Sequence, residues 1–280
     1  MRTGSAARRR AIQITAAVAL AAAAALGHGQ AVPGPALTLG VAPLLSEAES
    51  RRQFAPLCEY LAQASGLPCR VETKQNFLAY WEAMRRGQDY NLILDDAHFT
   101  GYRAERMGYT VLAKIPGTIT YSLIVPRAAK IHDPGRLAGR RIATLGIPSL
   151  GAALLNSLFP QASKQPIPVE VNSAEEAFAL LREDKVAAAI LPTALARQEI
   201  ALGAPLRVLL STEPLPHMAL SAAPSLEPAL RRQLRQALLD APKTPAGRTM
   251  LRSLGIERFD AASASVYRDK AAILQQYWGY

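Results

Sequence analysis

Histidine and cysteine are both scarce in this 280-residue chain, with four of the first and two of the second. His28, His98, His132 and His217 lie far apart, with no HExxH and no paired ligand spacing. Cys58 and Cys69 alone cannot complete the four-ligand set of a zinc site. There is no GxSxG elbow, no P-loop and no GxGxxG fingerprint. No metal, no cofactor and no enzymatic activity are therefore expected. Basic tracts with interleaved aromatics are also missing, which argues against nucleic acid as a partner. Low-complexity tracts and short repeats are absent. Beyond the first thirty residues, no segment is long and apolar enough to span a bilayer.

What is there begins with the N-terminus. Arg2, Arg8, Arg9 and Arg10 form a positive stretch without acids, and an apolar run follows from Ala11 to Leu26. Gly27, Gly29 and Ala31 then supply small residues ahead of Val32-Pro33. This is the three-part pattern of a secretory signal peptide over residues 1–31, with cleavage expected after Ala31. An uncleaved anchor is the alternative; the short, Ala-rich run favours cleavage. Arg9-Arg10 raises a twin-arginine route, which Ala11-Ile12-Gln13 fits poorly. No cysteine at the junction supports a lipid anchor. A location outside the cytoplasm is expected. Removing the leader leaves 28 basic against 22 acidic side chains, a net +6 that attracts anions mildly. In an oxidising compartment Cys58 and Cys69 could pair, or both could stay as buried thiols.

The remainder alternates strand and helix signals. Strands are expected at Leu37–Val41, Cys69–Thr73, Tyr90–Leu94 and Tyr109–Ile115, and helices at Glu49–Ser65, Phe77–Arg86 and His98–Met107. A second unit follows: strands Thr120–Val125, Arg141–Leu145, Val169–Val171, Ala187–Leu191 and Leu206–Ser211, interleaved with helices. Asp133-Pro134 opens a short helix, and Ser173 with Glu176 has the form of a capping box. Helices Glu227–Asp240, Pro245–Ser253 and Val266–Trp278 close the chain. The alternation implies an α/β protein with parallel strands and helical crossovers. It divides into two lobes, 36–120 with 215–280 and 121–214, joined by strands at Thr120–Val125 and near Leu209–Leu220. Ligands in such folds meet the carboxyl ends of strands, and two facing lobes form a cleft that closes by hinge motion.

Several stretches resemble one family. LTLGVAP (37–43), then FAPLCEYLAQASGLPCRVE (54–72), is similar to the opening of the phosphate/phosphite/phosphonate-binding periplasmic proteins of ABC importers. FLAYWEAMRRGQDYNLILDDAHFTGYRAERMGYTVLA (77–113) and TYSLIVPRAAKIHDPGRLAGRRIATLGIPSLGAALL (120–155) resemble later passages of the same family. The resemblance spreads over about two hundred residues and implies that this location is the periplasm. It implies a two-lobe type II periplasmic-binding fold, each lobe an open, mostly parallel sheet flanked by helices. It also implies hinge capture of an oxyanion-like solute and delivery by a monomer to an ABC membrane permease. Docking on a membrane histidine kinase is the alternative partner. An enzyme on the same fold, a porphobilinogen-deaminase-like transferase, would need a cofactor-bearing cysteine.

The departures concern the ligand. The family's Ser/Thr-rich turn is Pro148-Ser149-Leu150-Gly151 here, so Ser149 and Gly151 remain as donors at a helix N-terminus. The family's later acid is absent from Lys185–Ala189. Asp95-Asp96-Ala97-His98 brings two carboxylates to a strand end, where they would repel a dianion. Tyr121 matches the family's hinge tyrosine. The candidate ligand residues are Pro43, Asp95, Asp96, His98, Tyr121, Ser149, Leu150, Gly151 and Thr193. Pro43 and Leu44 would line the first lobe's mouth, and Asn172, Thr193 and His217 also follow strand ends. The bland alternatives are caps for Ser149 and one aspartate, and hinge packing for Tyr121. Ser149→Ala is expected to weaken binding without unfolding the protein.

Overall fold

The computed structural model describes residues 36–87 and 89–280. The signal-peptide reading of residues 1–31 lies outside the described residues. The chain runs β1 (Leu37–Val41), α1 (Glu47–Ser65), β2 (Cys69–Glu72), α2 (Phe77–Arg86), β3 (Leu92–Asp95), α3 (Ala97–Arg106) and β4 (Thr110–Lys114). It continues through β5 (Thr118–Ile119), β6 (Tyr121–Pro126), β7 (Arg141–Thr144), α4 (Leu150–Leu158), β8 (Ile167–Glu170), α5 (Ala174–Arg182), β9 (Ala188–Pro192), α6 (Thr193–Ala201) and β10 (Leu206–Ser211). The return half is β11 (Leu215–Pro216), β12 (Ala219–Ala222), α7 (Pro228–Asp240), α8 (Pro245–Leu254), β13 (Asp260–Ala261) and α9 (Ala272–Trp278).

Two main sheets result. The first has the order β13-β4-β12-β3-β1-β2, the second β10-β6-β9-β7-β8. β1 pairs in parallel with β2 and β3, and β7 in parallel with β8 and β9. β12 inserts antiparallel between β3 and β4, and β6 lies antiparallel to β9 and β10. The returning strand is thus built into the middle of the first sheet, so the first lobe is complete only when the chain comes back to it. Between the lobes, β5 and β11 pair as a two-stranded antiparallel ribbon.

Local chemistry sets the element ends. α1 begins at Glu47, earlier than the apolar stripe suggests, because Ser46 caps it by accepting from the Glu49 N–H at 3.3 Å. Gly66, with φ 71°, ends it in the left-handed conformation that glycine adopts without strain. Asp133-Pro134 gives one 3-10 turn with Asp133 accepting from Gly135. At α5 the Ser173 hydroxyl accepts from the Glu176 N–H, while the Glu176 carboxylate reaches back to the N–H of Asn172. The expected single helix over Val266–Trp278 is instead a 3-10 turn at Ala264–Tyr267 followed by α9. Asp269, at φ 63°, breaks it between the two.

Cys58 on α1 and Cys69 at the head of β2 are joined by a disulfide across 5.4 Å between Cα atoms. The first lobe's sheet packs Leu37, Leu39, Leu92 and Leu220 against α1, α7 and α8. Another buried cluster crosses the seam, with Phe77, Trp81 and Phe99 of the first lobe continuous with Ile124, Ala174 and Phe178 of the second. α9 packs against both α3 and α4, so this helix also touches both lobes. Among the described residues, no helix is long and apolar enough to cross a membrane.

Candidate functional site

The carboxyl ends of β1, β3, β7 and β9 converge on the seam between the lobes, where a ligand would be expected. The lobes touch there directly. The N–H of Ala174, opening α5, donates to the carbonyl of Leu44 at 3.0 Å. Most of the polar atoms foreseen as ligand contacts are engaged with protein partners.

Asp95 is fully buried and fully committed. Its Oδ1 accepts from Arg103 Nη2 at 2.6 Å and from the Thr100 hydroxyl at 3.2 Å. Its Oδ2 accepts from Arg103 Nη1 and from the Tyr80 hydroxyl. The pair lies within the first lobe, so Asp95 neutralises Arg103 and does not face the cleft. Two acids side by side in the sequence therefore do not act as a double negative wall.

Asp96 crosses the seam. Its Oδ2 accepts from the Tyr121 hydroxyl at 2.8 Å, and its Oδ1 has no partner among the described residues. It sits at the cap position of α3 without capping it. Burial raises its pKa to about 7, opposed by the Tyr121 hydrogen bond and reinforced by the neighbouring Asp95 charge. Tyr121 is pinned at the seam by the same bond. His98 makes a further cross-seam contact, its Nε2 lying 2.9 Å from the carbonyl oxygen of Pro148. A carbonyl only accepts, so the proton is on Nε2. Burial lowers the His98 pKa to about 4, so the ring is neutral near pH 7.

The turn between β7 and α4 is sealed. Ser149 is fully buried, and its hydroxyl accepts from the Ala152 N–H at 3.2 Å as an ordinary N-cap. Leu150 packs in the second lobe's core. Gly151 permits close approach of α4 to β9: a Cβ there would lie 3.0 Å from the Ile190 carbonyl oxygen. Here Ser149, Leu150 and Gly151 serve the helix and its packing rather than an open cleft. Pro43 is buried as well.

The junction between β9 and α6 is different. Thr193 accepts a hydrogen bond from the Thr120 hydroxyl and shares another with Ser122, which reaches Ser211, each at 2.7 Å. Pro192 stands at the cap position of α6 and brings no side-chain acceptor. This junction borders a cavity of about 350 Å³ between the lobes. The first lobe contributes Leu44, Phe54, Leu94 and Met218; the second contributes Thr193 and Arg197. The β5–β11 crossing supplies Thr118, Thr120 and His217. No carboxylate is among these lining residues. The Met218 N–H donates to His217 Nδ1 at 2.8 Å, which leaves the ring proton on Nε2. Burial and the nearby Lys114 lower the His217 pKa to about 4, keeping the ring neutral.

Of the candidates read from sequence, only Thr193 lines this cavity. Leu44, read as lining the first lobe's mouth, and His217, read as following a strand end, line it too, whereas Asn172 does not. Arg197 was not foreseen. It stands four residues beyond Thr193, hence on the same helical face, a spacing that could have flagged it. Among the described residues, no cluster of His, Cys, Asp and Glu could hold a metal ion.

Two sheets joined by a β-ribbon around a seam cavity define a two-lobe, type II solute-binding protein. The description "ABC transporter, phosphonate, periplasmic substrate-binding protein" belongs to a family model that matches residues 39–267. The chain belongs to that family, which is one of binding proteins and not of enzymes. Solved structures agree in fold. PhnD1 from Prochlorococcus marinus in complex with methylphosphonate is 15% identical with a TM-score of 0.75, covering 88% of this chain and 99% of that one. A binding protein component of an ABC phosphonate transporter from Pseudomonas aeruginosa is 14% identical with a TM-score of 0.70, covering 86% and 85%. XAC2383 from Xanthomonas citri bound to ATP is 17% identical with a TM-score of 0.68, covering 86% and 97%. No curated protein sequence matches the chain significantly.

Proposed function

We propose that this chain captures a small organic anion in the cavity between its lobes and hands it to the membrane permease of an ABC importer. The observation that carries this reading is the cavity itself, walled by strand ends of both lobes and by their crossing ribbon, with Arg197 and His217 and no acid on its lining. Donors without carboxylates suit an anion. A ligand touching both walls favours closure over opening; moving from mostly open to mostly closed needs about 5 kcal/mol of differential binding. The exchanging lobes are 36–120 with 215–280 and 121–214.

The proposed contacts are Thr193, Arg197 and His217, with Leu44 and Leu94 against the body of the solute. Processing after Ala31 would release a periplasmic monomer; intact mass should then begin at Val32. Native mass spectrometry of protein purified without refolding should reveal a co-purified solute, and scattering should report a more compact particle when it is bound. A bare mass, together with a shape indifferent to every anion offered, would remove the reading. Uptake of the identified solute lost on deletion, and restored by the chain, assigns it to a permease. Intact uptake with a lost transcriptional response assigns it to a sensor kinase.

A further inference from the structure

We infer that the solute is an organic anion with an apolar substituent, not a bare oxyanion or a methyl-sized one. This rests on the capture reading above and names the class of ligand. Three observations carry it.

The first is commitment. A small oxyanion held at the β3 and β7 ends would need the polar atoms there. Asp95 is saturated by Arg103, Thr100 and Tyr80. The Ser149 hydroxyl caps α4, and the Pro148 carbonyl faces His98. The fully buried Ser149 offers no open surface at that helix start.

The second is the character of the space that remains. The 350 Å³ cavity is walled mainly by hydrocarbon: Leu44, Phe54, Leu94, Ile115, Met218 and Leu254. Cavities of this size and lining bind bodies larger than a phosphate, oriented by a few polar groups. An apolar wall repays only a ligand that brings apolar surface to it.

The third is polarity at one place. Thr193, Arg197 and His217 border the cavity, and no Asp or Glu lines it. His217 presents an N–H because its other nitrogen is occupied by the Met218 amide. Arg197 stands one helical turn beyond Thr193 and lines the cavity with it. A phosphonate or carboxylate head fits the Arg197 and His217 donors, since both kinds of head accept charge-assisted hydrogen bonds.

The test is calorimetric titration of the whole mature chain with phosphate, methylphosphonate, phenylphosphonate, acetate and benzoate. Phenylphosphonate should bind at least tenfold tighter than methylphosphonate, or benzoate tighter than acetate by the same factor. The aryl compound should show a negative heat-capacity change. The pair showing the gain identifies the head group. Ala194→Leu adds bulk at the exposed cavity edge and should lower aryl affinity at least tenfold, with an unchanged melting curve. If neither aryl compound exceeds its methyl partner while any anion binds, the apolar-substituent inference fails and capture stands. If none of the five binds saturably, both fail.

Discussion

At the end of β7 the chain turns through Gly146, Pro148 and Ser149 into α4; at the end of β9 it passes from Pro192 directly into α6. Both junctions are strand–turn–helix units of one sheet, and both point a helix N-terminus toward the seam. The first is closed by its own residues: Ser149 caps, Gly151 lets α4 approach β9, and His98 of the other lobe binds Pro148. The second has no side-chain cap, and its first turn borders a cavity. A serine at a helix start is suited to an anion and to capping alike. What separates the two uses is what the opposite lobe presses against the turn.

The largest test of this contrast removes what stiffens the sealed side. Arg103→Met leaves Asp95 buried without its cation and should cost about 3–5 kcal/mol in urea unfolding. A loss below about 1 kcal/mol would mean that the Asp95 pair is not what holds the β3 end. Next is Asp96. Its pKa is raised to about 7, so the stability of its neutral form is present below about pH 4 and is lost as pH rises through about 7. Asp96→Asn removes this titration. The stability advantage of wild type over the variant should therefore shrink by roughly 2–4 kcal/mol between pH 5 and pH 8. A gap that stays constant would show Asp96 ionised at both pH values. On the open side, Arg197→Gln should weaken anion binding about tenfold, or about 1.4 kcal/mol, with no change in melting temperature. The smallest effect sharpens the contrast most. Ser149→Ala should cost about 1 kcal/mol of stability through the lost cap, with affinity unchanged. A fall in affinity would return Ser149 to the ligand.

The alternation of apolar runs and stop signals made the α/β class and most helices legible, because periodicity and caps are local. Ser173 with Glu176 and the glycine stops are of this kind. The insertion of β12 between β3 and β4 was not, since strand order depends on partners far away in the chain. β5 and β11 span two residues each, too few to leave a pattern. The site was less readable than the fold. Asp95 and Asp96 look equivalent in sequence, yet one meets Arg103 eight residues on and the other meets Tyr121 across the seam. Nothing local distinguishes a carboxylate that will find a buried guanidinium from one that will find a phenol. His217 was marked only by its place after a strand, and Arg197 was not marked, its helical phase being the one signal for it.

Tyr280 packs against Trp81, their ring centroids 5.0 Å apart, with the Arg85 guanidinium over the Tyr280 ring. Just before it, α9 bridges α3 and α4. A swing of the lobes about the ribbon alone would pull α9 away from one of these two helices. Anything joined after Tyr280, such as an affinity handle, would sit beside this clasp. Opening kinetics measured on a C-terminally tagged preparation would then describe the handle as much as the hinge.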